Sequence, residues 1–326
     1  MSDIERNALS DSEALMSQAL QSPARIAWRR LCRDPLAMVG LAVLVVLGLA
    51  ALLGLLLTHS FAAFDPSTVR LTDKLLAPLS AATSLVAPEH QPVGGIYWLG
   101  TDEFGRDVLS RMLQGAFVSL SIGLIAISIA VAIGITVGAV SGYAGQVRVL
   151  GLSLDSILMR FTDAMLCFPA FFLILTVVAL LPASIYNIMI VIGLTSWMGT
   201  ARFVRAEVLS LKQRDFVVAA VAAGLSEVRI VTAHVLPNAM APVLVTSTIG
   251  IATAILTESA LSFLGFGVQP PDATWGNVLA DGKAFVFDAP WLFVVPGTAI
   301  FVVVLAFNLL GEGLREALNP RLDVEV

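Results

Sequence analysis

Residues 36–58 form a run of 23 residues without a single charged side chain. Apolar runs of 18 or more residues are typical of helices that cross a bilayer, because a helix satisfies its own backbone hydrogen bonds in the hydrocarbon layer. Four arginines precede the run and Ser60-Phe61-Ala62 resembles a cleavage tripeptide, so a signal peptide is the alternative. The apolar region of a signal peptide has only about 7 to 15 residues. The run is therefore predicted to be an uncleaved membrane anchor.

The rest of the chain is similarly apolar. Of its 326 residues, 57% are hydrophobic and 13% are charged, whereas a soluble domain has about 25% charged residues. The predicted fold class is an all-α membrane protein with six transmembrane helices. The predicted spans lie near residues 36–58, 119–141, 164–181, 185–199, 240–264 and 291–311.

Positive charges predict the orientation of these spans, because cytoplasmic loops are enriched in Lys and Arg. With the N-terminus inside, 14 of the 19 Lys and Arg residues lie in cytoplasmic segments. Both termini are therefore predicted to be cytoplasmic. The predicted divisions are a cytoplasmic N-terminal segment (1–35), the anchor (36–58), a periplasmic segment (59–114), a membrane core (115–312) with a cytoplasmic loop (200–238), and a cytoplasmic tail (313–326). The five basic residues predicted to lie outside are Arg70, Lys74, Arg106, Arg111 and Lys283.

Several kinds of chemistry lack the residues that they need. There is no G-x-x-x-x-G-K-[ST] run, so the chain has no phosphate-binding loop of the nucleotide-binding kind. The three histidines and two cysteines are far apart in sequence, and no H-E-x-x-H pair is present, so no metal site is expected. No nucleophile has an evident base, and no basic nucleic-acid surface is present. The chain is predicted to be neither an enzyme nor a cofactor-binding protein, with no catalytic residues.

Local patterns predict further details of the helices. Gly134, Gly138 and Gly142 lie four residues apart and predict a helix face that another helix approaches closely. Pro169 is predicted to kink the third span. Pro182, followed by Asn187, indicates a short turn outside the membrane.

The motif YWLGTDEFGRDVLSR lies before the second span. Thr101 or Asp102 is predicted to cap a short helix whose first turn carries Glu103 and Asp107. A purely structural cap and a contact with an external partner both remain open for this segment.

The loop that contains AAVAAGLSEVRIVTAHVLPN predicts two short helices, 215–223 and 226–235, joined at Gly224. Glycine adopts the left-handed conformation at helix ends, Ser226 is predicted to cap the second helix, and Pro237 to end it. The low-relief alanine surface either enters a groove on another protein or packs against the chain's own bundle. His234 is predicted to be a buried hydrogen-bonding residue.

Glu258 is the one acid inside a predicted span. A central charge costs about 2.5 to 3.5 kcal/mol on membrane-insertion scales, so such residues tend to face a bundle interior or an aqueous cavity. Two roles remain open for Glu258, a bond to a neighbouring helix and the lining of a substrate pathway. Ser259, Ser262 and Asn308 are weaker candidates of the same kind.

The loop DFVVAAVAAGLSEVRIVTAHVLPN resembles the cytoplasmic EAA loop of bacterial ABC importer permeases. The family's pattern is Glu-Ala-Ala, three residues, Gly, and a hydrophobic run that closes in Leu-Pro. Here the alanine pair is Ala219 and Ala220, the glycine is Gly224, and Val218 replaces the acid. LGTDEFGRDVLSRMLQGA, ESALSFLGFGVQPPDATWGNVL and LAFNLLGEGLREALNPR resemble the second permease subunit of dipeptide, oligopeptide and nickel importers. The likeness extends from about residue 25 to 322.

The resemblance implies the type I ABC importer permease (MetI-like) fold in the bacterial inner membrane. It also implies partners: a homologous second permease, two ATP-binding subunits that carry the ATP and Mg²⁺, and a periplasmic or lipid-anchored substrate-binding protein, besides membrane lipids. The short helix around Gly224 would dock into a cleft of an ATPase subunit. The coupling residues that the resemblance implies are Ala219, Ala220, Gly224, Leu225, Ser226, His234 and Pro237.

The substrate class that this resemblance favours is di- or oligopeptides. Nickel or glutathione is the alternative within the same importer class. In a different class, the alternative is a proton-coupled secondary transporter in which Glu258 relays protons or binds a coupling ion.

Overall fold

The computed structural model describes residues 23–84, 86, 91–149 and 151–318. Residues 1–22 of the predicted N-terminal segment and 319–326 of the predicted tail lie outside the described residues. Apart from two short two-stranded ribbons, the regular secondary structure of the described residues is helical. Its helices are α1 (Pro23–Leu31), α2 (Pro35–Ser60), α3 (Val108–Tyr143), α4 (Leu154–Leu166), α5 (Ala170–Leu180), α6 (Ile185–Thr195), α7 (Met198–Leu211), α8 (Asp215–Ala222), α9 (Glu227–Ile230), α10 (Leu236–Phe263), α11 (Trp275–Asp281) and α12 (Trp291–Ala317).

Both ribbons are antiparallel and lie in connections between helices. Strand β1 (Ser80–Ala81) pairs with β2 (Ile96–Tyr97), and β3 (Arg148–Val149) pairs with β4 (Leu152–Ser153). Single turns of 3₁₀-helix occur at Ala62–Phe64, Leu71–Asp73, Val93–Gly95 and Gly282–Phe285.

Helix α2 contains the charge-free run and begins where the sequence supplies a cap. The Asp34 side chain accepts hydrogen bonds from the backbone N–H groups of Leu36 (2.9 Å) and Ala37 (3.3 Å). Proline at the first helical position has no N–H to satisfy. The cap and the proline together set the start of the first membrane helix.

The second long helix, α3, begins 11 residues before the predicted span, at Val108 instead of 119. Asp107 is its N-cap and accepts from the N–H groups of Leu109 (3.3 Å) and Ser110 (3.2 Å). The predicted short helix capped by Thr101 or Asp102 is wrong. Asp102 instead accepts from the N–H of Phe104 and of Arg106 within an irregular loop, both at 2.9 Å. A carboxylate that holds its own loop in this way competes with helix formation.

Two of the predicted spans are broken helices. Helices α4 and α5 meet at 83°, and the break lies next to Pro169, which confirms the predicted kink. Helices α6 and α7 meet at 41°. Within the described residues, four helices are long and apolar enough to cross a membrane, or up to six if each bent pair is one span.

The predicted stop at Pro237 is wrong. The helical path runs without interruption from Glu227 to Phe263, because a π-helical turn at Val231–Val235 joins α9 to α10. The N–H of Leu236 bonds to the carbonyl of Val231, so the ladder is shifted by one residue just before the proline. Pro237 follows directly after this shift, as the second residue of α10.

Helix α3 lies at the centre of the bundle and packs against α2, α6, α7 and α10. Its contact with α7 follows the predicted glycine face. A Cβ added to Gly134 would lie 2.6 Å from Thr200 Cβ, one added to Gly138 would lie 2.6 Å from the carbonyl of Ala201, and one at Gly142 would meet Val208. The missing side chains let the two helices touch along their backbones, which confirms the prediction.

Candidate functional site

The loop with the alanine pair forms a helical hairpin, residues 215–235, at one end of the bundle. Gly224 joins its two arms with φ +75°, the left-handed conformation predicted for it. The Gly224 N–H bonds to the carbonyl of Val221 (3.0 Å) and the Leu225 N–H to that of Ala220 (3.2 Å). These two bonds form a Schellman cap, which accounts for the glycine at this position.

The hairpin has one face that packs against its own bundle. Val217, Ala220 and Ile230 are at most 7% exposed. They pack against buried valines of α7 and α10, among them Val204 and Val208. The inner face of the hairpin is therefore part of the core at this end of α7 and α10.

The opposite face of the hairpin is apolar and exposed. Its side chains come from both arms, and exposed apolar patches of this kind mark contact surfaces for another molecule. We call these residues the hairpin face. They are Phe216 (42% exposed), Val218 (56%), Val221 (57%) and Val228 (73%).

The predicted coupling residues divide between these two faces. Ala220 is buried, Leu225 is half-buried, and Ala219, Gly224, Ser226 and Pro237 are exposed. Ser226 occupies the N-cap position of α9, although its side chain makes no capping bond. The prediction that His234 is buried is wrong: it is half-buried, because the π turn places it between the core and the surface.

A second candidate site is an uncharged groove between α3, α6, α7 and α10, with a volume of about 420 Å³. Its polar atoms are hydroxyls, and it contains no charged side chain. On α10 the hydroxyls of Thr253 and Thr257 donate to backbone carbonyls one turn earlier, at 3.0 Å and 2.8 Å. Their lone pairs remain available to the groove. The hydroxyl residues that line it are Ser196, Thr200, Thr246, Thr253 and Thr257.

Glu258 of α10 is not among the residues that line the groove, and it is fully buried. Its Oε1 accepts from Ser262 Oγ at 2.7 Å, whereas Oε2 has no hydrogen-bond partner among the described residues. Ser259 is buried beside it, where a Cβ added to Gly276 of α11 would lie 2.7 Å from Ser259 Cα. Three of the four predicted pathway residues are thus neighbours at the contact with α11, outside the groove.

The fourth predicted pathway residue, Asn308, is exposed on α12, where its Nδ2 donates to the carbonyl of Val304 at 2.8 Å. It belongs neither to the groove nor to the Glu258 group. The pathway roles of these four residues stay predictions.

A cluster of buried ion pairs joins the start of α3 to α11. Arg111 Nη1 donates to Asp102 Oδ2 (2.8 Å) and to Asp281 Oδ2 (2.7 Å). Arg106 Nε donates to Asp102 Oδ2 (2.6 Å) and its Nη2 to Asp281 Oδ2 (3.1 Å). Asp102 is fully buried, and Arg111 is 2% exposed. We call these four residues the ion-pair cluster. Charge placement in the sequence identifies Arg106 and Arg111 only as determinants of orientation and does not indicate their pairing.

Hydrogen bonds of α11 extend the link made by the ion-pair cluster. The backbone N–H of Trp275 donates to Ser119 Oγ and its indole Nε1 to the carbonyl of Met112, both at 3.2 Å. Burial, and then the charges of Asp281 and Asp102, raise the pKa of the nearby Glu103 carboxyl. This end of the bundle is therefore held by polar contacts across segments that are distant in sequence.

Asp73 makes the stability of the connection between α2 and α3, residues 61–107, depend on pH. Its carboxylate accepts from Tyr97 Oη (2.7 Å) and from the Thr83 N–H (3.2 Å). Burial acts to raise the pKa of Asp73, but these hydrogen bonds outweigh it and hold the pKa below its usual value. Because the pKa of Asp73 is lower in the folded state, its carboxylate stabilises the folded connection at a pH above about 3.9, the usual pKa of Asp. This stability is lost as the pH falls through the lowered pKa.

We therefore expect the Thr83 amide to lose protection from hydrogen exchange as the pH falls below about 4, after correction for the intrinsic exchange rate. Asp73→Asn is expected to remove this pH dependence. Asp65→Asn is the control. Burial acts to raise the pKa of Asp65, but hydrogen bonds hold this pKa below its usual value, as they do for Asp73. The Asp65 carboxylate accepts these bonds from Ser67 and Thr68 in its own turn, and not from the Thr83 segment. An unchanged pH profile in Asp73→Asn would contradict the assignment.

The bundle and these sites define a class: a helical protein with several helices apolar enough to cross a membrane and an exposed apolar hairpin. Residues 130–324 match the family model described as binding-protein-dependent transport system inner membrane component. Residues 22–78 match the N-terminal TM domain of oligopeptide transport permease C. The chain belongs to the binding-protein-dependent transport system inner membrane component family and is a multi-pass protein of the inner membrane.

Individual relatives agree with this assignment. The chain is 39% identical over 302 residues to the dipeptide transport system permease protein DppC of Alkalihalophilus pseudofirmus, which covers 92% of this chain and 91% of the relative. It is 34% identical over 312 residues to the oligopeptide transport system permease protein OppC of Bacillus subtilis, covering 96% and 94%. An inward-facing structure of the MetNI methionine ABC transporter is similar at 17% identity and a TM-score of 0.47, covering 64% of this chain and 96% of that one.

Proposed function

We propose that this chain is one of two permease subunits of an ATP-driven, binding-protein-dependent importer of di- or oligopeptides. The substrate class is supported by two relatives, a dipeptide permease at 39% identity and an oligopeptide permease at 34% identity. Each bent helix pair counts as one span in this proposal, so that six spans place both termini in the cytoplasm. The architecture is the MetI-like fold of type I importers.

The observation that carries the proposal is the hairpin, with an inner face packed as core and an outer face left apolar and exposed. The hairpin face would dock into a cleft of an ATPase subunit, in the manner of an apolar helix in a groove. Motion of the ATPase would reach α7 through the packed inner face. From α7 it would reach α3 through the glycine contact, where the helices touch without intervening side chains. ATP and Mg²⁺ would be bound by the partner subunits, and this chain would bind no cofactor.

We also propose that the uncharged groove is this subunit's half of the translocation pathway, with the homologous second permease forming the other half. Peptides differ in side chain and charge, so a passage without charged groups holds none of them tightly. Its hydroxyl lone pairs offer weak hydrogen bonds to the peptide backbone, which all peptides share. Selection among substrates would then belong to the external binding protein.

Reconstitution of the purified subunits into vesicles tests the proposed function. Uptake of a labelled dipeptide is expected only when both permeases, the ATPases, the binding protein and ATP are present. Uptake by this chain alone under a proton gradient would favour a secondary transporter instead. Binding of dipeptides, oligopeptides, glutathione and nickel to the cognate binding protein decides the substrate, and exclusive binding of nickel or glutathione would overturn the peptide assignment.

Thr253→Phe tests the groove as a pathway. The exposed Thr253 side chain lines the groove, so a phenyl ring there is expected to narrow the groove and lower peptide uptake by about tenfold or more. A tenfold loss corresponds to about 1.4 kcal/mol, which is within the range of about 1 to 3 kcal/mol that excess side-chain volume costs at a packed site. Assembly and basal ATP hydrolysis are expected to persist. Thr136→Phe is the matched control, because Thr136 is also exposed and donates to a carbonyl one turn earlier, but lies on α3 outside the groove. Equal uptake by both variants would contradict the role of the groove.

A further inference from the structure

Helix α1 carries a concentration of positive charge directly before the first membrane helix. Arg25, Arg29 and Arg30 lie within it and Arg33 follows, and residues 23–33 contain no acid. The next residue, Asp34, is occupied as the N-cap of α2. Four positive charges lie within the nine residues 25–33.

The two faces of α1 differ. Leu31 is 4% exposed and packs in one cluster with Ala37 of α2 and Ala317 of α12, which fixes α1 against the ends of two membrane helices. Arg25, Trp28, Arg29, Cys32 and Arg33 are all exposed and recur every three or four residues. Such spacing places Arg25, Trp28 and Arg29 on one side of α1. Cys32 and Arg33 lie in the turn that follows, where the Cys32 N–H still bonds to the Trp28 carbonyl (3.0 Å). We call these five residues the arginine–tryptophan stripe.

The stripe continues directly into the apolar exposed surface of α2. Leu36 is 61% exposed and Val39 is 55% exposed, and the exposed residues that follow on α2 are apolar throughout the charge-free run. A chain in a bilayer exposes such a surface to lipid tails. The stripe is therefore at the depth where the hydrocarbon layer gives way to the headgroups.

Each residue type in the stripe suits that depth. Tryptophan is enriched at membrane–water interfaces because its ring is apolar while its N–H is polar. Trp28 is 55% exposed here, which would be unfavourable in water. Arginine has a planar group of donors that matches the oxygens of a phosphate. A basic helix with an aromatic residue that lies next to a membrane span is typical of binding to anionic lipids.

We propose that α1 lies in the membrane interface and that its arginine–tryptophan stripe binds the phosphates of anionic phospholipids. Only one part of this inference rests on the proposed function: the orientation proposed there assigns the stripe to the cytoplasmic leaflet. The bound lipid would stabilise the corner where α1, α2 and α12 meet. At this corner Gly313 of α12 packs so closely that an added Cβ would contact Ala37 and lie 3.3 Å from Leu31.

Cys32 lies within the stripe and gives a direct probe. The permease carrying Cys167→Ser is labelled at Cys32 with a fluorophore and assembled with cysteine-free partner subunits in vesicles of phosphatidylcholine and phosphatidylglycerol. Quenching of the Cys32 fluorophore is measured in two vesicle preparations, in which either phosphatidylglycerol or phosphatidylcholine carries a nitroxide near its headgroup. Neither ATP nor substrate is added. Because no transport is needed for the signal, a failure of the proposed function and a failure of this inference are distinguishable.

We expect stronger quenching by labelled phosphatidylglycerol than by labelled phosphatidylcholine. Each arginine near an anionic surface favours binding by about fivefold, so Arg25→Gln with Arg33→Gln is expected to lower the preference by at least about fivefold. The control is Arg148→Gln with Arg160→Gln, which removes the same charge from two other exposed arginines and is expected to keep the preference.

Three results would overturn the inference. They are no preference for the anionic lipid, an equal loss of preference in both double variants, and quenching that is seen only when the ATPase subunits are left out of the assembly. The last result would mean that the stripe contacts those subunits instead of lipid.

Discussion

Gly224→Trp is expected to lower peptide uptake by the complete importer by about thirtyfold or more, because blocking a central docking residue costs about 2 kcal/mol or more. Among the residues that the structure describes, none lies within 4 Å of a Cβ added at Gly224, so this part of the fold has room for the indole. The ring would instead extend from the hairpin into the surface that docks. Substrate-stimulated ATP hydrolysis is expected to fall with uptake, while membrane insertion persists.

The chain offers a matched control for this substitution. Gly151 has φ +82°, close to the +75° of Gly224, and a Cβ added there also meets none of the described residues within 4 Å. Gly151→Trp therefore introduces the same side chain at the same backbone cost, about 1 to 2 kcal/mol, outside the hairpin. It is expected to leave uptake nearly unchanged. Normal uptake and stimulated hydrolysis by inserted Gly224→Trp would show that the hairpin is not the docking element.

A second variant at the same position separates bulk from backbone conformation. Asparagine tolerates the left-handed conformation better than other residues with a side chain. Gly224→Asn is therefore expected to keep most of the uptake. If Asn and Trp at this position were equally damaging, the loss would come from the turn and not from a blocked partner surface.

The parts of the fold that follow from local sequence could be predicted. The charge-free run gave the position of α2, and Pro169 gave the break between α4 and α5, because hydropathy and proline act within a few residues. The turn at Gly224 is also local, since its cap forms among residues 220–225. The start of α3 was missed because Arg111 and Gln114 are polar, and hydropathy cannot indicate that distant segments bury them.

The error at Pro237 has a similar origin. A proline ends a helix only if the lost hydrogen bond and the clash with the preceding turn cannot be relieved. Here the π turn at Val231–Val235 shifts the ladder just before the proline, so the helix continues. No residue type in that turn marks a π-helix, and therefore the sequence pattern alone favoured a stop.

The candidate sites differ in the same way. The hairpin is contiguous and could be recognised from its sequence. The groove needs four helices to meet, although the spacing of Thr246, Thr253 and Thr257 does predict a hydroxyl face on α10. The ion-pair cluster joins Arg111 to Asp281, which lies 170 residues away. Such a pairing depends on the tertiary fold, and a count of positive charges cannot reveal it.

Arg111→Met is expected to destabilise the protein by about 3 to 5 kcal/mol, the usual cost of removing one partner from a buried ion pair. Methionine retains a long apolar side chain, so the loss is mainly that of charge and hydrogen bonds. Asp102 and Asp281 both accept from Arg111 Nη1, and without it Arg106 alone would balance two carboxylates. Asp102 has no access to water that could replace the lost donor.

The exposure of the paired side chains predicts the order in which three substitutions lower the stability, and that order tests the role of the ion-pair cluster. Arg202→Met removes an arginine from the pair with Asp163, whose side chains are 52% and 54% exposed, so it is expected to cost about 0 to 1 kcal/mol. Asp281→Asn is expected to lie between, because the Asp281 side chain is 28% exposed and water can reach it. The midpoint of thermal unfolding, measured on the purified importer at one pH and salt concentration, should fall most for Arg111→Met. If Arg202→Met lowered it as much, the ion-pair cluster would contribute no more than a surface pair, and α11 would be held by its packing and tryptophan hydrogen bonds alone.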